Sequence, residues 1–185
     1  MGAVKHNIES NNKGGKNKGI VEEDSTNSKV TLLLDYLERY FAQNISQVSE
    51  IKDIINQEYV IDPKFPNNKI SLRILDFFIT TYSKKFNLKI QQDFNVYQNY
   101  RLALKSFHKS SFDPFCRKHK LTFYYGKNDH EYVESSAGQL SFFKWCFENG
   151  IIEYVKKNYN VIDDSMKKSS PKRKKVKGPV TIQFK

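Results

Sequence analysis

A mainly α fold of the α+β kind is predicted by three features of the chain. Apolar residues recur at helical spacing through most of the stretch from Val30 to Met166. One segment, Leu121 to Glu134, instead reads as two short strands around Gly126-Lys127-Asn128-Asp129, a hairpin by turn chemistry. Both ends are too polar to build a core. The expected architecture is a compact helical domain with a small β-hairpin, a flexible N-terminal arm and a basic C-terminal tail.

Residues 1–28 are Asn, Lys, Gly, Ser and acid with Gly14-Gly15, and such a composition does not offset the entropy of ordering. Residues 29–61 form an acidic two-helix appendage. Its first helix, Val30 to Gln43, sets Leu33, Leu34, Leu37, Tyr40 and Phe41 on one side behind a Ser28 cap. Its second, Ser46 to Tyr59, repeats the device with a Ser46 cap and Val48, Ile51, Ile54 and Ile55. Asp62-Pro63-Lys64-Phe65-Pro66-Asn67-Asn68 breaks both helix and strand, so a boundary is placed there and residues 62–165 are read as the core domain.

Within that core, Ile70 to Phe86 is a helix with Ile74, Leu75, Phe78, Ile79 and Tyr82 inward, and Asp93 to Lys109 is another through Phe94, Tyr97, Tyr100, Leu104 and Phe107. After the strands Leu121 to Tyr125 and Glu131 to Glu134, Ser135-Ser136 caps a helix from Gly138 to Glu148 that Gly150 closes. A last helix covers Ile151 to Met166. No internal repeat is visible.

At 185 residues, with 38% hydrophobic and 14% aromatic content, the chain has material for one well-packed domain. No apolar run approaches the roughly 20 residues of a membrane-spanning helix, because Asp76 and Lys144 interrupt the best candidates. Gly2 is placed for myristoylation, but His6 stands where Ser or Thr is needed, so no membrane anchor is expected. Two cysteines and no signal peptide suit a reduced, intracellular protein.

Charge carries the functional signal. The net charge is +11, and residues 166–185 alone hold eight Lys or Arg with no Asp or Glu. Lys172, Arg173, Lys174, Lys175 and Lys177 form a polycation of the type that serves as a nuclear-localisation signal or a non-specific DNA tail. Between Asp62 and Lys120, twelve Lys or Arg face four Asp, with aromatics interleaved as in Tyr82-Lys84-Lys85-Phe86 and Tyr100-Arg101. Cations neutralise phosphates and aromatic faces stack on bases, so Arg101, Lys105, Arg117, Lys118 and Lys120 are the candidate nucleic-acid-binding residues of the folded part. The plainer reading is a solvated basic surface over aromatics that belong to the core.

Chemistry is sparsely signalled. Cys116 and His119 have ligand-like spacing, and His108, His130 and Cys146 complete the available donors, yet no second pair supplies a tetrahedral zinc set. Asp113, Glu131 and Glu134 near Lys118 or Lys127 could be assembled into a metal-dependent nuclease site, with two carboxylates to hold Mg²⁺ and a lysine to steady the phosphate, but their spacing is not diagnostic. Nucleotide-binding and hydrolase signatures are lacking. No catalytic residue, metal or cofactor is therefore expected.

Three blocks, Ile74 to Tyr82, Phe112-Asp113-Pro114-Phe115-Cys116-Arg117-Lys118, and Gly138 to Ile152, resemble a family of the nucleocytoplasmic large DNA viruses. That family includes the iridovirus immediate-early infected-cell proteins, labelled as replication factors or DNA-binding proteins, with relatives in giant viruses. The resemblance implies a viral protein located in the host cytoplasm's viral factory, the virion or the host nucleus. Its implied partners are DNA and viral replication, transcription or virion proteins. A stiff Asp113-Pro114 turn would project Arg117 and Lys118, backed by a buried helix carrying Gln139, Phe142, Phe143 and Trp145. The expected function is a non-enzymatic DNA-associated accessory protein; the alternatives are a protein-interaction or virion module docking through residues 30–59, and a metal-dependent nuclease.

Overall fold

Leu37 and Phe41 stand one helical turn apart and are 1% and 0% exposed, so the centre of the first helix's apolar stripe is buried while Leu33, Leu34 and Tyr40 beside it are half-buried. The structure is a computed structural model that describes residues 22–64, 68–91, 93–107, 111–116, 120–124 and 132–169, with side chains described from residue 31. Helix α1 (Glu22–Gln43) is followed by α2 (Ile45–Ile55). Its first seven residues lie inside the expected arm, and the rest of the arm falls outside the described residues. Asn44 makes the turn between α1 and α2, its side-chain amide donating to the Tyr40 carbonyl, in place of the expected Ser46 cap.

The two helices are not an appendage. Leu37, Phe41, Val48, Ile51 and Ile54 belong to the same buried cluster as Leu75, Phe78, Phe123, Phe142 and Ile152. Helix α1 packs on α6 (Ala137–Glu148), and α2 packs on strand β4 (Tyr132–Ser136). Each such side chain contributes about 1.5–3 kcal/mol of burial, so detaching the pair would cost far more than a linker could tolerate. The Pro-rich segment at residue 62 is correspondingly a closed loop: Ile61 N–H donates to Asn68, Ile70 N–H donates to Tyr59, and Val60 bridges Lys69.

Ser71 caps α3 (Leu72–Phe77), its hydroxyl accepting from Ile74 N–H. The helix then widens into a π turn, Phe78–Tyr82, and closes with α4 (Ser83–Lys85). Ile74, Leu75, Phe78 and Ile79 are buried as the sequence pattern requires, whereas Tyr82 is half-buried. Next comes a small hairpin that periodicity does not reveal, β1 (Lys89–Ile90) with β2 (Phe94–Asn95). Gln91 and Asp93 turn it with φ of +38° and +74°, a conformation usually announced by glycine. The expected helix from Asp93 thus begins only at Val96: Asn95 caps α5 (Val96–Ser106) through the Gln98 N–H at 2.9 Å.

Strand β3 (Lys120–Tyr124) pairs antiparallel with β4 in the register Thr122 to Glu134 and Tyr124 to Tyr132. Phe123 and Val133 point inward, while Lys120, Tyr124, Tyr132 and Glu134 point to solvent, the alternation of a one-sided sheet. Ser136 caps α6, which is buried nearly all round, including Leu140, Phe142, Phe143 and Cys146. Gly150 ends it at φ +63°, and α7 (Ile151–Lys157) and α8 (Tyr159–Ser169) follow with a break at Asn158 where one helix was expected. Helix α8 runs four residues into the span assigned to the tail. The mainly α, α+β reading is borne out.

Candidate nucleic-acid interface

Helix α5 places Tyr97, Arg101 and Lys105 four residues apart, so they share one ridge, and both cations are exposed. Asn95 fixes where this ridge begins. Its side chain caps the helix, accepting from Gln98 N–H, and also donates to Asn87 at 2.8 Å, tying the start of α5 to the end of α4. Helix α4 packs on α5, and Lys84 Nζ sits 5.3 Å from the centre of the Tyr97 ring. Lys84 and Lys85, exposed at the end of one helix, thereby join the tyrosine–arginine–lysine ridge of the next.

The π turn belongs to this arrangement. One extra residue in a helical turn rotates everything after it by about 100° relative to an α-helix. Thr80 and Ser83 hydroxyls bond back to the Asp76 and Ile79 carbonyls and so satisfy acceptors around the widened turn. Asp93 is the sole carboxylate in the sequence between Phe77 and Ser106, and Lys89 holds it at 3.1 Å. The face is thus strongly cationic. Phe86, 53% exposed, follows Lys85, whose ammonium lies 5.2 Å from its ring centre.

Of the ten residues singled out from the sequence, Arg101 and Lys105 stand together here. Lys120 is exposed at the start of β3, on the outward face of the hairpin that also carries Tyr124 and Tyr132. Arg117, Lys118, Lys172, Arg173, Lys174, Lys175 and Lys177 lie outside the described residues. Lys84, Lys85 and Tyr97 were not among the ten. The interleaving in Tyr82-Lys84-Lys85-Phe86 was visible, but the docking of α4 on α5 is a tertiary contact that no local pattern announces.

The turn at Asp113 is closed by hydrogen bonds, while Arg117 and Lys118 beyond it lie outside the described residues. Its carboxylate accepts from Phe115 N–H at 2.9 Å, its own N–H donates to Gly138, and Gln139 donates from its side chain to the Pro114 carbonyl at 2.8 Å. Ser136 closes the loop by donating to the Cys116 carbonyl. Phe112 is buried against Tyr100, Phe142 and Trp145. The Phe112 to Cys116 segment is therefore anchored on the start of α6, with the α5 ridge as its neighbour through Tyr100.

The nuclease set does not assemble among the described residues. Asp113 is engaged in its own turn and lies near Asp76, whose carboxyl is pushed above the usual range by burial and by Asp113. Burial, with these two carboxylates adding, pushes the Tyr100 hydroxyl up to about 12. Glu134 stands exposed opposite Thr122, and Glu131 is outside the described residues. No three His, Cys, Asp or Glu side chains among the described residues are placed to hold a metal ion. Burial pushes the Cys146 thiol well up, which makes it an inert core group. Among the described residues no helix is long and apolar enough to cross a membrane.

A family of unknown function, DUF7197, matches residues 16–183. The chain is also 35% identical, over 179 residues, to the uncharacterized protein L507 of Acanthamoeba polyphaga mimivirus. That alignment covers 91% of this chain and 63% of the relative, so the chain spans less than two thirds of the curated protein it matches. The likeness supports a viral origin and the giant-virus part of the resemblance read from the sequence, and lends nothing to the iridovirus part. No solved structure matches. With nearly its whole length matched, the chain belongs to the DUF7197 family of unknown function.

Proposed function

We propose that this protein binds nucleic acid, DNA in the first instance, as a non-enzymatic viral accessory protein. It does so through phosphate contacts from the α4–α5 face and from the polycationic segment Lys172 to Lys177. The observation that carries the reading is the Lys84–Tyr97 contact, which joins two cationic segments into one surface with Arg101 and Lys105. Surface lysines scatter on most proteins. Here they converge, and Asp93, the one carboxylate in the sequence between Phe77 and Ser106, is occupied by Lys89. Such a face gives salt-sensitive, sequence-independent affinity. The DNA-binding label of the iridovirus proteins agrees with this reading and adds no weight of its own.

The test is charge reversal in the full chain. Replacing Arg101 and Lys105 by Glu lowers DNA affinity at physiological salt and flattens its salt dependence by about 0.9 log units per lost phosphate contact. Unchanged affinity removes the face from the account.

A second reading, protein docking, draws on one observation. Leu32 and Tyr36, a turn apart on α1, are 66% and 52% exposed. Leu37 and Phe41 of the 30–59 segment are not open to docking, because both are buried in the core. Light scattering on the full chain decides whether the Leu32–Tyr36 stripe mediates self-association: a Leu32→Glu, Tyr36→Glu variant converts an oligomer to monomer if it does.

A further inference from the structure

Phe86 is the most exposed phenylalanine among the described residues, and its surroundings are unusual for a stray surface ring. One side rests on Tyr82, with ring centres 4.7 Å apart, and Tyr82 in turn stacks on buried Phe78. The backbone beneath is fixed. Phe86 N–H donates to Tyr82, Leu88 N–H to Ser83, and Val96 N–H to Leu88, while Asn95 grips Asn87 through their side chains. Asn87 takes φ +45°, which turns the chain sharply away just after the ring. The ring is thus an aromatic surface backed by Tyr82 and Phe78, with two cations just before it in the chain: Lys85 lies against it, and Lys84 lies against Tyr97.

A single exposed aromatic is ordinary on a protein surface and needs no function. Three features argue for one here: the ring's fixed position, the Lys85 ammonium against it with Lys84 next in the chain, and the π turn that sets the phase of the segment carrying it. π turns of this kind are frequent at functional sites. Bases of a duplex are stacked on one another and offer no free face to a protein aromatic. Bases of a single strand do, and stacking on an aromatic ring flanked by phosphate-binding cations is the common design for holding them.

We propose that Phe86 is a base-stacking platform and that the α4–α5 face therefore selects single-stranded nucleic acid over duplex. The proposal rests on the nucleic-acid reading of that face and specifies its ligand. Lys84, Lys85, Arg101 and Lys105 supply the backbone contacts that either form would use, and Phe86 supplies the discrimination.

The experiment measures binding of the full chain to a labelled oligothymidylate and to a mixed-sequence duplex of equal length, at the same salt. Wild type, Phe86→Ala, Phe86→Leu, and the Lys84→Ala, Lys85→Ala double variant are compared. The expected result is a preference for the single strand that falls about 5- to 100-fold in both Phe86 variants, with duplex affinity unchanged. The lysine variant loses affinity for both ligands. The duplex measurement doubles as a check that each variant is folded, and Leu preserves the apolar contact with Tyr82 while removing the stacking face. If the Phe86 variants keep the wild-type preference while the lysine variant loses both ligands, the stacking proposal is overturned and the nucleic-acid reading stands. If Leu binds as Phe does, the ring is packing only, and the proposal again fails. If no protein binds either ligand, the reading of the face fails with it.

Discussion

Lys84 lies with its ammonium 5.3 Å from the centre of the Tyr97 ring, a contact between residues thirteen apart in sequence and on different helices. Burial cannot explain it, since Lys84 is exposed. An exposed cation over the half-buried Tyr97 ring gains about 0.5–1 kcal/mol, which helps hold α4 against α5.

A double-mutant cycle of Lys84→Ala and Tyr97→Ala, followed by urea unfolding, should return a coupling energy of about 0.5–1 kcal/mol. Tyr97→Phe should retain most of it, because the ring and not the hydroxyl faces the ammonium. Additivity of the two single substitutions would show that the contact does not organise the face.

Gly150 is a position where side-chain space and backbone conformation make the same demand. Its φ is +63°, and a Cβ added there would collide with the side-chain amide of Gln91 from the β1–β2 turn. Gly150→Ala should therefore destabilise by about 1–3 kcal/mol, and adding Gln91→Ala should recover part of the loss by removing the clash while leaving the backbone strain. Thermal unfolding reads both. Full recovery would mean that the strain at +63° costs nothing measurable.

Two raised pKa values set pH dependence with opposite practical ends. Asp76 is held above its ordinary range by burial first and by Asp113 second, so its protonated form favours the fold. The associated stability is present below the unfolded carboxyl pKa and lost as pH rises through the folded value. Asp76→Asn should accordingly be more stable than wild type at pH 7, with the advantage vanishing near pH 3. Tyr100, pushed up to about 12 chiefly by burial, behaves likewise at the alkaline end. Its contribution is intact below pH 10 and disappears between about 10 and 12, so Tyr100→Phe should flatten the loss of stability over that window. Urea titrations across pH check both; an Asn variant equally stable at pH 3 and pH 7 relative to wild type would contradict the first.

Much of the fold was legible because local chemistry and tertiary structure agree. The Ser136 cap, the Gly150 stop and the strand alternation around Phe123 and Val133 are each set by residues within a few positions. Where the reading fell short, the cause was not local. The β1–β2 turn uses Gln91 and Asp93 at positive φ instead of glycine, so no turn signal exists. The π turn at Phe78–Tyr82 preserves an apolar spacing that a helix would also show. The stripe Leu37, Phe41, Val48, Ile51 and Ile54 reads from sequence as an appendage because periodicity reports that a face is buried, not against what. Charge and spacing single out Arg101 and Lys105 as candidates. Lys84 and Tyr97 needed the packing of α4 on α5 to show that they join them.

The most direct test of the central claim, that the folded face binds nucleic acid in concert with the basic segment, is DNA affinity as a function of salt. The full chain is compared with one ending at Ser169, which keeps all of the described α8. The account predicts a steep slope for the full chain and a shallower but non-zero slope after truncation, each lost phosphate contact contributing about 0.9. Absence of binding by both chains at physiological salt would contradict it, and binding that disappears altogether on truncation would assign the activity to the segment after Ser169 and none to the α4–α5 face.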